Sequence, residues 1–137
     1  MTMPNDFNER IIDDFRANSG KVTGQFANAP LLLITTKGAR TGEIRTTPLV
    51  YSKDGENLVV IASMGGAPRH PSWFLNLKAN PDVTIEVGAE KYTAKASVPE
   101  GAERDRLFNQ QVAQMPAFAD YQRKTTRAIP AVVLERS

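Results

Sequence analysis

Hydrophobic positions along the chain change period twice, and the changes mark its elements. Phe7, Ile11, Ile12 and Phe15 fall at i, i+4, i+5 and i+8, the stripe of an amphipathic helix with Asp and Arg on its other face. Pro4 and Asn5 open this helix and Gly20 is placed to stop it. Residues 20–30, punctuated by Gly20, Gly24 and Pro30, read as a loop. From Leu31 the pattern turns strand-like. Leu31–Thr36 is an apolar run ending in Thr-Thr, which predicts a buried central strand. Lys37–Gly42 is a turn, and Ile44–Tyr51 resumes as a strand. Pro48 inside it withholds a ladder donor, so an edge or a bulge is expected there. Asp54-Gly55 signals a hairpin into a further buried strand, Leu58–Ala62.

The helical period then returns briefly. Ser63–Arg69 is a loop. Pro71 and Ser72 start a helix with Trp73, Phe74 and Leu77 on its inner face, and Asn80-Pro81 ends it. Val83–Val87 and Lys91–Val98 form a hairpin through Gly88. Tyr92, Ala94, Ala96 and Val98 alternate there with Thr93, Lys95 and Ser97, so one face is buried. After Pro99-Glu100-Gly101 a helix runs to about Met115. Pro116 breaks it, Ala117–Thr126 is another helix or turn, and Ala131–Leu134 is a last strand. The expectation is an α+β fold: about six mostly antiparallel strands and three or four helices in one domain spanning 1–137. No βαβ rhythm is present, which argues against a Rossmann fold. A small closed or partly closed β-barrel with flanking helices fits best. Residues 1–20 form a helix at its edge, read as a packing element or as a mobile lid.

Composition narrows the chemistry mostly by exclusion. Net charge is +2, which does not describe a general polyanion binder, so no nucleic-acid partner is expected. With no Cys and one His, there is no zinc site, thiol nucleophile or hydrolase triad. No metal is expected. Neither a P-loop nor a dinucleotide fingerprint occurs. Any difficult chemistry therefore points to a bound organic cofactor. The N-terminus lacks a signal core and no run is long enough to span a bilayer. Cytoplasm is the default location, with a peripheral place on the inner membrane face left open. Asp13 and Asp14 on the first helix argue against anionic lipid.

Three segments carry candidate chemistry. In KGARTGEIR, Lys37, Arg40 and Arg45 lie within nine residues that hold a single acid, Glu43. Such guanidinium groups can fork onto phosphate or carboxylate, although a solvated basic turn reads the same way. In SMGGAPRHPSWFLN, Gly65-Gly66 permits close backbone approach. Trp73 and Asn76 share a helix face. Equally, Trp73 can be a core anchor and Asn76 a latch on a nearby loop. In MPAFADYQ, Met115, Phe118 and Tyr121 recur every three residues and form either one pocket wall or ordinary core. Of these, Tyr121 alone can donate a proton.

Together the segments LLITTKGARTGEIRTTPLVY, ASMGGAPRHPSWFLNLKANPDV and YQRKTTRAIP resemble the deazaflavin-dependent nitroreductase family, from about Pro30 to Leu134. The resemblance implies a split β-barrel that binds coenzyme F420, a deazaflavin with a phosphate and an anionic polyglutamate tail. Hydride would pass from reduced F420 to a small organic acceptor, namely an enone, a quinone or a nitro-aromatic. It places Ala39, Arg40 and Thr41, with Arg45, Thr46, Thr47, Pro48, Leu49 and Val50, along the tail side and one ring edge. Ile61, Ala62, Ser63 and Met64 would line the ring, and Ser72, Trp73, Phe74, Leu75 and Asn76 would close its far side. Phe118 would lie over the pocket. Tyr121 and Ser63 would be the catalytic pair, supplying or relaying a proton. The chain departs from the family where Met64 replaces a Lys, and where Met115 and Phe118 replace Tyr. An FMN-dependent oxidoreductase and a non-catalytic carrier of a fatty acid or other lipophilic ligand remain open on the same barrel, as does the oligomeric state.

Overall fold

The computed structural model describes residues 6–21 and 30–137. The expected helix opening at Pro4 and Asn5, the Phe7 side chain and most of the 20–30 loop lie outside the described residues. Helix α1 spans Asp6–Ala17. Strands β1 (Leu31–Lys37), β2 (Ile44–Asp54) and β3 (Asn57–Ile61) follow. A 3-10 turn at Met64–Gly66 leads to α2 (Ser72–Ala79). Strands β4 (Asp82–Val87) and β5 (Glu90–Ser97) precede α3 (Gly101–Gln114), α4 (Ala117–Arg123) and β6 (Ala131–Arg136).

The six strands close into one antiparallel barrel in the order β1-β2-β3-β6-β5-β4. Alternation along each strand explains how it divides its side chains. Leu32 and Ile34 point into the barrel with Leu58, Val60, Val132 and Leu134, and all six are buried. Leu31 and Leu33 face outward and would be wet without α1, whose Phe15 covers them. Val59, Ile61 and Ala131 likewise face outward, beneath Leu107 and Phe108 of α3 and Phe118 of α4. The apolar run at 31–34 thus needs a barrel on one side and a helix on the other. Helix α2 contributes Trp73, Phe74 and Leu77 to the cluster inside the barrel.

Helix α1 is also pinned at its C-terminal end. Arg16 grips the Glu86 carboxylate of β4 through Nε at 3.0 Å and Nη2 at 2.8 Å. This hydrogen-bonded pairing holds the Glu86 carboxyl below its ordinary value, and it raises the Arg16 guanidinium.

The barrel is closed but not evenly paired. Strand β2 pairs with β1 from Ile44 to Val50, whereas it pairs with β3 only from Tyr51 to Asp54. Tyr51 N–H donates to Pro30 O at 3.0 Å, so Tyr51 addresses the β1 side. By alternation Val50, Pro48 and Thr46 turn their backbone groups the other way, where β3 no longer runs alongside. Pro48 therefore withholds its donor from an unpaired side, and the expected edge is found inside a closed sheet.

Candidate active site

The parting of β2 and β3 makes the site. Beyond the Tyr51–Val60 pair the next residues, Val50 and Ile61, stand on opposite walls of a cavity of about 310 Å³. Pro48 and Leu49 extend the β2 wall, and Ser63, Met64 and Gly65 extend the other. Pro71 and Trp73 close it from α2, Met115, Phe118 and Tyr121 from the α3–α4 segment, and Asn8 and Ile11 from α1. The wall is largely apolar and aromatic, and among the described residues Ser63 and Tyr121 are its only hydroxyl side chains.

Each wall is held by identifiable contacts. Phe118 and Tyr121 meet edge to face, with ring centres 5.2 Å apart. Gly66 lies against α4 in a left-handed backbone, φ +87°. A Cβ there would sit 2.6 Å from Tyr121 O and 2.9 Å from Lys124 Cβ. The close backbone approach anticipated at Gly65-Gly66 is thus, at Gly66, an approach to the helix that carries Tyr121. Gly65 has open space around its missing Cβ and faces the cavity.

Asn76 is buried and bridges two elements. Its Oδ1 accepts from Ala39 N–H at 3.0 Å, and its Nδ2 donates to Thr36 Oγ1 at 3.3 Å. It latches the β1–β2 turn onto α2, so of the two roles open in the sequence the loop latch is the observed geometry. That turn is where the charge collects. Arg45 pairs with Glu43 at 3.1 Å. Arg40 is exposed and forms no ion pair among the described residues. Three residue steps separate Arg45 from Pro48, roughly 10 Å along β2, so the basic turn lies one short run from the cavity.

The residues expected to form one site divide into three groups. Pro48, Leu49, Val50, Ile61, Ser63, Met64, Trp73, Phe118 and Tyr121 line the cavity together. Ala39, Arg40, Thr41, Arg45, Thr46 and Thr47 lie on the basic turn and the strand leading from it. Ala62, Ser72, Phe74, Leu75 and Asn76 are not part of the cavity wall. Ala62 and Phe74 join the barrel core, and Leu75 is half exposed. Phe74 meets His70 at a 43° tilt with ring centres 4.8 Å apart and faces a second hollow of about 490 Å³, with Lys78 and Arg104. In that hollow Arg104 is already occupied by Ile129 O, Gln122 Oε1 and Asp105.

Two contributions escaped the sequence. Asn8 and Ile11 could not be assigned to a pocket by helical period alone. Arg127, inside the TTRAIP motif, is the other. It donates to His70 Nδ1, which fixes the neutral imidazole proton on Nε2. Burial, then the charges of Arg127 and Lys78, push the His70 pKa below its ordinary value. Burial also lowers that of Arg127. His70 is a strut of the loop.

A flat conjugated ring with an anionic extension fits this arrangement. Aromatic and thioether groups flank a narrow hollow at a strand split, and a basic turn held open by Asn76 lies beyond one wall. Among the described residues no cluster of His, Asp or Glu could hold a metal ion. No helix among them is long and apolar enough to cross a membrane.

The fold and site define a class: a closed six-stranded antiparallel barrel with a cavity where two of its strands part. Comparison with known proteins narrows it: residues 9–136 match the model of the F420H(2)-dependent quinone reductase family, and the chain belongs to that family. It is 42% identical over 128 residues to an F420H(2)-dependent quinone reductase of Mycobacterium tuberculosis strain H37Rv, covering 89% of this chain and 85% of that protein. The solved structure of an F420-H2 dependent reductase, FDR-A, is similar at 39% identity and a TM-score of 0.71, over 77% of this chain and 94% of that one. A structure described as a domain-swapped dimer matches at 35% identity and a TM-score of 0.73, over 97% of this chain and all of that one. The haem storage protein HutZ of Vibrio cholerae, 15% identical with a TM-score of 0.62 over 92% of this chain and 87% of that one, shares the fold alone.

Proposed function

We propose that this chain is an F420H2-dependent reductase whose acceptor is a quinone or a similarly electron-poor carbonyl compound. One observation carries the reading: the cavity where β2 and β3 part has an aromatic and methionine wall, and a basic turn lies roughly 10 Å along the same strand. Relatives named for F420H(2)-dependent quinone reduction support it. When bound, reduced F420 supplies a hydride to the acceptor.

The chain's own residues bind, orient and protonate. Trp73 and Phe118 offer faces and edges that exclude water from the reacting atoms. Arg40, which has no ion-pair partner among the described residues, neutralises the anionic tail, while Asn76 presets the turn that presents it. As the acceptor oxygen gains negative charge, the Tyr121 phenol donates a proton or hydrogen bond to it, with Ser63 as the neighbouring donor. Such general-acid assistance contributes about two to four orders of magnitude in rate.

The experiment uses the single Trp. Titrating the protein with oxidised F420 is expected to quench Trp73 fluorescence at micromolar cofactor. Adding F420H2 and a soluble quinone is expected to regenerate the oxidised deazaflavin absorbance. An unquenched Trp73 together with no turnover sinks the reading. A protein purified yellow with a flavin spectrum redirects it to FMN.

A further inference from the structure

Arg127 stands between α4 and β6, and its side chain reaches back beneath the loop that forms one cavity wall. Nε donates to Ala67 O at 2.9 Å, and Nη2 to Ser63 O at 2.9 Å. Nη1 donates to Ala62 O at 3.2 Å and meets His70 Nδ1 at 3.1 Å. One planar guanidinium thereby ties four points of the 62–70 loop, and among the described residues it has no carboxylate partner. Its own backbone is held in turn: Gln122 Nε2 donates to Arg127 O at 2.8 Å.

The consequence follows from peptide geometry. A trans peptide points its N–H away from the carbonyl it shares, and the described chain has no cis bond. Because the Ala62 and Ser63 carbonyls turn toward Arg127, the N–H groups of Ser63 and Met64 turn away from it. Ser63 and Met64 both line the cavity. Neither N–H donates to a backbone carbonyl among the turn and loop bonds of the described residues. Met64 is held at φ +48°, a left-handed backbone that a side-chain-bearing residue keeps only when its surroundings impose it.

We propose that Arg127 is a positioning residue for the reductase site, fixing the Ser63 and Met64 peptides so that two backbone N–H donors face the bound ring or the acceptor oxygen. The inference rests on the reading of the site given above. It assigns the motif TTRAIP a role in the reaction through the loop, with no contact of its own to cofactor or substrate. Donors held in advance need no reorganisation when charge develops, which is where such groups accelerate a reaction.

The test compares Arg127→Met and Arg127→Lys with the unaltered protein, each shown to be folded by circular dichroism. Arg127→Met is expected to lower kcat at saturating quinone by at least about ten-fold, less than the roughly 10²–10³-fold cost of deleting a preorganised donor, because the two N–H groups remain but lose their placement. Lys, which keeps the charge but not the planar fork, restores only part. Free guanidinium at low millimolar concentration should recover activity in Arg127→Met, whereas methylammonium should not. In the cofactor-free protein, 15N spectra should show His70 leaving its Nε2–H tautomer and the Ser63 and Met64 amides shifting. A folded Arg127→Met with unchanged kcat, or with unchanged His70 and loop amide signals, overturns the inference. If the unaltered protein fails to oxidise F420H2, the functional reading falls, and the cofactor-free spectra still decide whether Arg127 sets the loop.

Discussion

Gly66→Ala, compared with Gly65→Ala, isolates how α4 is seated against the cavity loop. Both glycines have left-handed backbones, φ +87° and φ +65°, so both substitutions carry a conformational cost of about 1–2 kcal/mol. A stiffer unfolded chain offsets this by about 0.4–1 kcal/mol. At Gly65 nothing lies within 4 Å of the new Cβ, so the net loss is about 1 kcal/mol. At Gly66 the new methyl meets Tyr121 O at 2.6 Å, Lys124 Cβ at 2.9 Å and Tyr121 Cα at 3.1 Å. Two of these atoms are backbone, so the helix must shift by several tenths of an ångström. Overpacking of this kind adds about 1–3 kcal/mol, giving a total of about 2–4 kcal/mol. For a domain of this length 1 kcal/mol moves the melting temperature by roughly 3 °C. Gly66→Ala should therefore melt roughly 6–12 °C lower, against roughly 3 °C for Gly65→Ala. The assay is differential scanning calorimetry, with quinone turnover measured well below both transitions. Turnover should fall more in Gly66→Ala, because the shift moves Tyr121 in the cavity wall. Equal melting shifts in the two variants would refute the argument that Gly66 is required by the approach of α4.

Arg40→Glu should weaken F420 binding by more than about ten-fold, and more at low salt, because exposed charges are screened. The same reversal at Arg45 should matter less, since Glu43 already neutralises it; Trp73 fluorescence titrations at two ionic strengths check both. Tyr121→Phe should lower kcat by about 10²-fold or more while leaving the cofactor Kd nearly unchanged, and equal turnover would leave Tyr121 as wall only. The Arg16 hydrogen bonds hold the Glu86 carboxyl below its usual 4.5 in the folded chain. The unfolded state then binds the proton first as pH falls, so this stabilisation is complete above about 4.5 and is lost on acidification through the folded value. Melting temperatures measured from pH 7 down to pH 3 should decline more steeply for the unaltered protein than for Glu86→Gln.

Much of the architecture was legible because period and punctuation agreed. Asp54-Gly55, Gly88 and Asn80-Pro81 fall at or beside the ends of elements, and the six strands and four helices come in the expected order. Strand β2 runs to Asp54, three residues beyond Tyr51, because pairing with β3 continues up to the tight turn. The basic turn and the glycine loop were visible as separate signals. Their division of labour was not. Asn76 and Trp73 share one helix, yet Trp73 lines the cavity while Asn76 turns to the β1–β2 loop. Phe74, the very next residue, faces another hollow, because successive helical side chains diverge by about 100°. Arg127 belongs to the YQRKTTRAIP segment, yet nothing local marked its contacts, since its partners lie 57 to 65 residues earlier.

By itself the sequence determined an antiparallel barrel rather than a βαβ sheet, a chain with no cysteine for thiol chemistry, and a family resemblance concentrated in three segments. Those properties follow from residue types and short-range spacing. Tertiary structure decided that Pro48 stands where β2 leaves β3, that the gap between them is the cavity, and that α1 and α4 wall it. It also decided that a distant arginine sets the loop facing that cavity. These depend on register and on contacts between remote segments. A one-residue change of register would turn every side chain of β2 to the other face, and no local pattern records which partner a backbone carbonyl will meet.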